Sequence, residues 1–354
     1  MPQNKLVDLE YLNNKIKELK AINKSADVQL LEKTIGALHL VELLSKSKLQ
    51  FVFKGGTSLT ILLEDIKRFS VDVDIITEED FEKVDEILNK IALESNIITR
   101  VEENYRNNAV TNRMKIKHYK LYYTSVTDGS EKFILLDVAI EKSVYPRMVE
   151  KEISCNRLDL ISNEKVVLPS IESVLGDKLT VLSPKYTGIS FDSEKHLELV
   201  KQIYDVNNLF DESENIEVIK ESFANICDRE LKYRKMEDVT KEEVLSDIES
   251  LCYKIIIQED EKALSFLSIG IGKFTNYMLK KSFKRDEEAL TAACKILYLV
   301  KCIRNSSDIV KYNQDIGIED SINYDLLDVK LRRRIKIIKK LDNESFYYIN
   351  EVLK

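Results

Sequence analysis

Nine glycines and four prolines punctuate 354 residues. Tight turns draw on these two residues, because Gly supplies positive φ and Pro presets its own. A chain so poor in them cannot make the many short strands of a sandwich or barrel. It is rich instead in Lys, Glu, Leu and Ile, which favour helices or tolerate them well. The first expectation is therefore long helices with few hairpins. At about 100–200 residues per domain the length suits two domains, and a compact chain of this size buries roughly 75% of its unfolded surface. Leu, Ile, Val and Phe recur periodically in a chain that is 44% hydrophobic, so it has a core to form and is not disordered.

The net charge is -7 and the pI about 5.4. The global field gives no reason to expect nucleic-acid binding and says nothing against a local basic face. The five cysteines, Cys155, Cys227, Cys252, Cys294 and Cys302, form no Cys-x-x-Cys pair. They read as reduced, buried thiols of a cytoplasmic protein. Met1 to Glu10 holds no apolar run, and no stretch approaches about 18 uncharged apolar residues, so neither a secretory signal nor a membrane span is expected. His39, His118 and His196 are too scattered for a histidine-built zinc site and read as structural or exposed.

Residues 5–47 carry helical periodicity. Leu49 to Phe53 is a short apolar run that ends in Lys54-Gly55-Gly56-Thr57: strand, glycine turn, then a helix to about Glu64. Phe69 to Ile76 alternates with period two and predicts a strand; Glu78 to Ile91 predicts a helix with Thr77 as its cap. Further strands are expected at 97–102, 113–123 and 133–140, the last two joined by an Asp128-Gly129 turn. From Ile171 the 3.6-residue period takes over, with helices expected at 171–183, 193–211, 215–235, 240–257, 260–282, 286–303 and 323–341. A domain boundary is expected near 160–170.

The chemistry concentrates in Phe53 to Leu59 and Arg68 to Asp74. Two glycines after a strand let the backbone approach a ligand closely. They also aim the first N–H groups of the next helix at it, which suits phosphate. Thr57 and Ser58 add hydroxyls. Asp72 and Asp74, two apart on a strand, project from one face. Paired carboxylates are costly unless a cation neutralises them, and oxygen-only donors favour Mg²⁺. Asp137 sits among Leu135, Leu136, Val138 and Ile140, an apolar setting that demands a partner. If the strands are neighbours, Asp72, Asp74 and Asp137 converge.

A Gly-Gly-Thr/Ser turn, a helix, an Asp-x-Asp strand and a later strand Asp resemble the polymerase-β-type nucleotidyltransferase superfamily. Phe-Lys-Gly-Gly-Thr-Ser-Leu (53–59) with Arg-Phe-Ser-x-Asp-x-Asp (68–74) resembles its AbiEii/AbiGii toxin family more narrowly. The helix through Leu31-Glu32-Lys33, Gly176-Asp177-Lys178 and the stretch Lys201 to Leu209 fit further family segments, so the resemblance spans about residues 28–210. The family often has an Arg just before the Tyr-Asp pair. Here the stretch is His196 to Lys201, where Lys195, His196 or Lys201 would stand in.

The resemblance implies an α+β fold: a nucleotidyltransferase-type mixed sheet with helices over 1–165, then a mainly helical domain over 166–354 that completes an NTP cleft and binds acceptor or partner. It implies NMP transfer from an NTP to an acceptor, foremost the 3′ end of tRNA, in a toxin–antitoxin or abortive-infection system. Asp72, Asp74 and Asp137 would bind Mg²⁺, with Mn²⁺ as the alternative ion. Lys178 would face the triphosphate and Asp205 would complete the pocket. Lys54, Gly55, Gly56, Thr57, Ser58, Arg68 and Ser70 would bind the nucleotide. An antitoxin protein would be the partner, and no membrane is involved. The alternatives are transfer to a protein or small molecule, and a non-catalytic NTP-binding toxin.

Plainer readings exist for several of these residues. Asp137 could pair with Arg113 or Lys117, and Arg68 with Asp72 or Glu64. Arg113, Lys115 and Lys117 share a strand face that is either solvated or an acceptor contact. Lys280 to Arg285 holds four cations, and Lys330 to Lys340 holds seven in eleven residues, with Leu331, Ile335 and Ile338 at helical spacing. The latter is an amphipathic helix whose basic face is either simply soluble, an RNA-backbone platform or an antitoxin dock.

Overall fold

The computed structural model describes residues 8–24, 27–63, 67–105, 115–279, 283–285 and 287–354. The chain forms two compact units: Met1–Ser170 with Thr275–Ser282, and Ile171–Phe274 with Phe283–Lys354.

The first unit is a seven-stranded mixed sheet with helices. In chain order it contains α1 (Leu9–Ile22), α2 (Val28–Lys46), β1 (Val52–Lys54), α3 (Gly55–Leu62), β2 (Val73–Thr77), α4 (Phe81–Glu94), β3 (Ile98–Glu103), β4 (Ile116–Thr124), β5 (Glu131–Ile140), β6 (Met148–Cys155) and β7 (Leu160–Pro169). The spatial order is β3-β4-β5-β2-β1-β7-β6. β2 pairs parallel with β5 and β1 parallel with β7; the other ladders are antiparallel.

Burial alternates along β5. Ile134, Leu136 and Val138 are buried, while Phe133, Leu135 and Asp137 are half-buried on the other face. Helix α4 lies on the apolar face: Tyr119, in register with Leu136, donates its hydroxyl to Asp85 at 2.6 Å. Lys117 also turns to that face, 2.9 Å from Asp85 and 3.3 Å from Glu103. Its ammonium is therefore held by these two structural carboxylates. Arg113 lies outside the described residues. Glu32 of α2 is buried and caps the β4–β5 hairpin, accepting from Ser125 Oγ and Val126 N at 2.7 Å each. That hairpin turns at Asp128-Gly129, as the sequence predicts, with Gly129 at φ +69°.

Several elements depart from the sequence reading. β2 starts only at Val73, because residues 69–72 form no ladder within the sheet. Their backbone is held by segment 275–279 instead: Phe69 N donates to Tyr277 O at 2.8 Å and Leu279 N to Lys67 O at 3.2 Å. The helix expected over 260–282 consequently ends at Phe274. The cap of α4 is Asp80, while Thr77 belongs to β2 and donates to Gln50 O. β6 and β7 carry no turn signal between them; the reversal is made by a 3₁₀ turn with Asp159 at φ +44°.

The second unit is helical: α5 (Ile171–Thr180), α6 (His196–Glu212), α7 (Ile216–Arg234), α8 (Lys241–Ile257), α9 (Glu261–Phe274), α10 (Glu288–Asn305), α11 (Val329–Leu341) and α12 (Asn343–Leu353). Gly176 lets α5 lie directly on α7, since a Cβ there would stand 2.6 Å from Ile219 O. Buried Lys295 ties α10 to both α6 and α12, 2.7 Å from Asp211 and 2.7 Å from Glu344. All five cysteines are buried free thiols. Burial pushes the Cys155 thiol up to about 11 and Cys227 up to about 12. Among the described residues no helix is long and apolar enough to cross a membrane.

Candidate active site

In the first unit the candidate residues gather where β1 runs into α3. Gly55 opens α3 at φ +78°, and an added Cβ would stand 2.1 Å from Asp74 Oδ2. The carboxylate thus packs against the bare backbone of the turn, in space that any side chain would fill. Gly56 is equally confined: a Cβ would lie 2.8 Å from Arg68 Nη2 and 2.9 Å from Ser70 Oγ. Arg68 is buried and donates from Nη1 to Phe69 O at 2.8 Å.

The hydroxyls of Thr57 and Ser58 are buried and engaged. Thr57 Oγ1 pairs with Ser70 Oγ at 2.9 Å and donates to the Asp72 carbonyl. Ser58 Oγ donates to Gly55 O at 2.8 Å. Both side chains fix the turn and the segment leading to Asp72. A ligand at this turn meets backbone N–H groups of the first helical turn, which have no partner within the helix.

The sheet register lines up the charged groups. Lys54 stands opposite Asp74 across β1–β2, Asp74 opposite Asp137 across β2–β5, and Asp137 opposite His118 across β5–β4. Direct neighbours in a sheet share a face, and strands lie about 4.8 Å apart. A row of Lys54, Asp74, Asp137 and His118 therefore crosses four adjacent strands on one face. Asp74 and Asp137 are half-buried. Asp72 is exposed, two residues ahead of Asp74 and outside the ladder. Among the described residues no three His, Cys, Asp or Glu side chains are gathered as a metal-binding group.

His118, expected to be structural or exposed, is buried at the end of this row. Its Nδ1 lies 2.7 Å from Asp137 Oδ1. The alternation of residues 115–123 puts His118 on the face of Lys120 and Tyr122, but the register that places it beside Asp137 is written in no local pattern.

Lys178 and Asp205 belong to the second unit and form an ion pair at 2.8 Å, both buried. Lys178 Nζ also donates to Gln202 Oε1 at 3.0 Å, one turn before Asp205 on α6. The close α5–α7 approach at Gly176 seats Lys178 on its helix two residues later.

The donor chemistry fits a divalent cation: two in-register carboxylates, oxygen donors only, and a glycine cradle under one of them. Like-charged carboxylates at neighbouring strand positions are stabilised by such a counter-charge. A mixed sheet with this turn and carboxylate row defines a nucleotidyltransferase-type fold. The chain belongs to the AbiEii nucleotidyltransferase toxin family of type IV toxin–antitoxin systems, whose profile matches residues 40–285. Among solved structures, JHP933 from Helicobacter pylori is similar at 14% identity over 79% of this chain and 96% of its own, with a TM-score of 0.47. An antigenic nucleotidyltransferase-like protein from Paracoccidioides brasiliensis is similar at 13% identity over 58% of this chain and 92% of its own, with a TM-score of 0.36. No curated protein matches the chain.

Proposed function

We propose that this nucleotidyltransferase transfers NMP from an NTP to the 3′ end of tRNA in a divalent-cation-dependent reaction, acting as the cytoplasmic toxin of a pair with an antitoxin. The observation that carries the reading is the in-register Asp74–Asp137 pair beside the Gly55–Gly56 turn. Family membership supports the NTP and the antitoxin partner.

In this reading Gly55 to Ser58 present backbone N–H groups to the phosphates, and Lys54, Arg68 and Ser70 line the same turn. Asp72, Asp74 and Asp137 hold Mg²⁺ or Mn²⁺, and bound cations would neutralise charge on the attacking and leaving oxygens. The acceptor hydroxyl oxygen attacks the α-phosphorus, the bond to the bridging oxygen breaks, and pyrophosphate leaves with the electron pair. Asp137 would take the hydroxyl proton or share a cation. Within the second unit Asp205 holds Lys178, the lysine that the family resemblance assigns to the triphosphate. The protein's contribution is mainly positioning and charge neutralisation.

The test incubates the full chain with Mg²⁺, each labelled NTP and total tRNA. Label in the RNA is expected from one or more NTPs. Label on a protein or small molecule instead would overturn the RNA acceptor and keep the enzyme. Toxicity that survives the Asp72→Ala/Asp74→Ala double substitution would favour a non-catalytic NTP-binding toxin.

A further inference from the structure

Two ammonium groups converge on one ring in the first unit. Lys33 of α2 lies 5.3 Å from the Phe133 ring centroid, and Lys120 of β4 lies 5.0 Å from it. Both distances are within cation–π range. All three side chains are half-buried, so solvent still reaches them. Among the described residues neither ammonium pairs with a carboxylate. The other lysines and the arginine of β3, β4 and β5 differ. Lys117 is held by Asp85 and Glu103, Lys132 by Asp128 at 3.2 Å, and Arg100 by Glu131 at 2.8 Å. Like charges gathered on a neutral ring repel each other, and a shared anion relieves that repulsion.

The register indicates which anion. Phe133, Leu135 and Asp137 share one face of β5; Lys120 stands opposite Leu135, and Tyr122 opposite Phe133. At about 3.4 Å per residue, Leu135 lies about 7 Å and Phe133 about 14 Å along the strand from Asp137. The two lysines thus extend the face of the carboxylate row along β4 and β5. The glycine turn lies at the other end of that row, after β1. In phosphoryl transfer the attacking and leaving oxygens stand roughly in line, on opposite sides of the phosphorus. With the triphosphate at Gly55 to Ser58, the acceptor enters from the β5–β4 side. A polymeric acceptor brings phosphodiesters behind its 3′ hydroxyl, and lysines on this side are placed for them. A small hydroxyl compound brings none.

We propose that Lys33 and Lys120, supported by Phe133, clamp the backbone phosphates just behind the 3′ hydroxyl of an RNA acceptor. The proposal rests on the transfer reading above for the side from which the acceptor enters. Phe133 supports both ammoniums without neutralising either, which leaves their charge for the RNA.

The test measures binding of the full chain, without NTP, to total tRNA and to the same tRNA trimmed of its unpaired 3′ nucleotides. Lys33→Gln/Lys120→Gln should lose at least tenfold in affinity for intact tRNA and stay within about twofold of the parent for trimmed tRNA. Its salt slope for intact tRNA should fall by about 1.4, at about 0.7 per single-strand phosphate. In the transfer assay its KM for tRNA should rise with an unchanged KM for NTP. Phe133→Leu should show the same pattern to a smaller degree. Lys33→Arg/Lys120→Arg keeps both charges and should bind like the parent. Parental affinity of the Gln pair for intact tRNA, equal loss for intact and trimmed tRNA, or a rise in the KM for NTP alone overturns the proposal. So does an Arg pair that loses as much as the Gln pair, which would make the lysines a matter of packing. The two levels separate cleanly. Labelled RNA with a parental KM for tRNA in the Gln pair removes only the clamp. No labelled RNA from the parent with any NTP, beside a Gln pair that loses intact tRNA alone, removes the transfer reading and keeps the clamp.

Discussion

Gly55 is held by two independent constraints, and they make separable predictions. Its φ of +78° is left-handed, and its missing Cβ leaves room for Asp74. Gly129 shares the first constraint, at φ +69°, but has nothing within 4 Å of an added Cβ. Gly129→Ala should therefore cost about 1–2 kcal/mol in urea unfolding and leave transfer activity intact. Gly55→Ala should cost at least as much and also abolish activity, because Asp74 must move. The Lys178–Asp205 pair is a second residue-scale case. Both side chains are buried, at 5% and 2% exposure. Lys178→Met removes a buried counter-charge from Asp205 and should destabilise the chain by about 3–5 kcal/mol, with Lys178→Met/Asp205→Leu recovering part of it. Chemical denaturation of the two variants measures the difference.

Helix α2 and strand β7 are joined by a carboxylate whose titration can be followed. Burial alone would push Glu42 up, but His39 at 3.4 Å and hydrogen bonds from Lys46 and Ser162 outweigh it and hold the group at about 2, down from 4.5. A depressed folded value means that the unfolded chain binds the extra proton between those limits. Stability from this contact is complete above about pH 4.5 and is lost as pH falls toward 2. Glu42→Gln should flatten the loss of stability between pH 5 and about 2.5, read as urea midpoints. On α11, Lys339 pairs with Asp320, Lys330 with Glu259, and Arg334 donates to Ile256 O at 2.8 Å. Arg333, Lys336 and Lys340 are left exposed. Reversing those three charges should weaken tRNA binding and lower its salt slope by about 2–3, at about 0.7–0.9 per phosphate contact. An unchanged slope would assign α11 to solubility or to a protein partner. Lys280, Lys281 and Ser282 of the other basic cluster lie outside the described residues.

Elements with a strong period were legible in the chain; their partners were not. The turn at Lys54-Gly55-Gly56 and the apolar β5 run announce themselves locally. β6 and β7 do not, because Glu150, Lys151 and Glu152 break the alternation on an edge strand and Asp159 makes its turn without glycine. The same distinction governs the site. Asp74 and Asp137 each look functional in sequence, yet only the parallel β2–β5 register makes them neighbours. The His118–Asp137 contact was illegible for the same reason, since it joins residues 19 positions apart.

At the scale of the whole molecule, the scarcity of turn residues holds for the helical second unit, which follows the 3.6-residue period. In the first unit it is met by spending glycine where backbone must be bare, at Gly55 and Gly56. The -7 net charge likewise averages unlike parts: a carboxylate row on the sheet and a cationic face on α11. The chain also crosses between units, since Thr275–Ser282 returns to the first and holds the backbone of Lys67 and Phe69. The central claim is that the carboxylate row performs nucleotidyl transfer to RNA. Its most direct measurement is incorporation of labelled NMP into total tRNA by the parent chain and by Asp74→Asn, side by side in Mg²⁺. The account predicts labelled RNA from the parent and at least a hundredfold less from Asp74→Asn. Equal labelling by both, or no labelled RNA from the parent with any NTP, would contradict it.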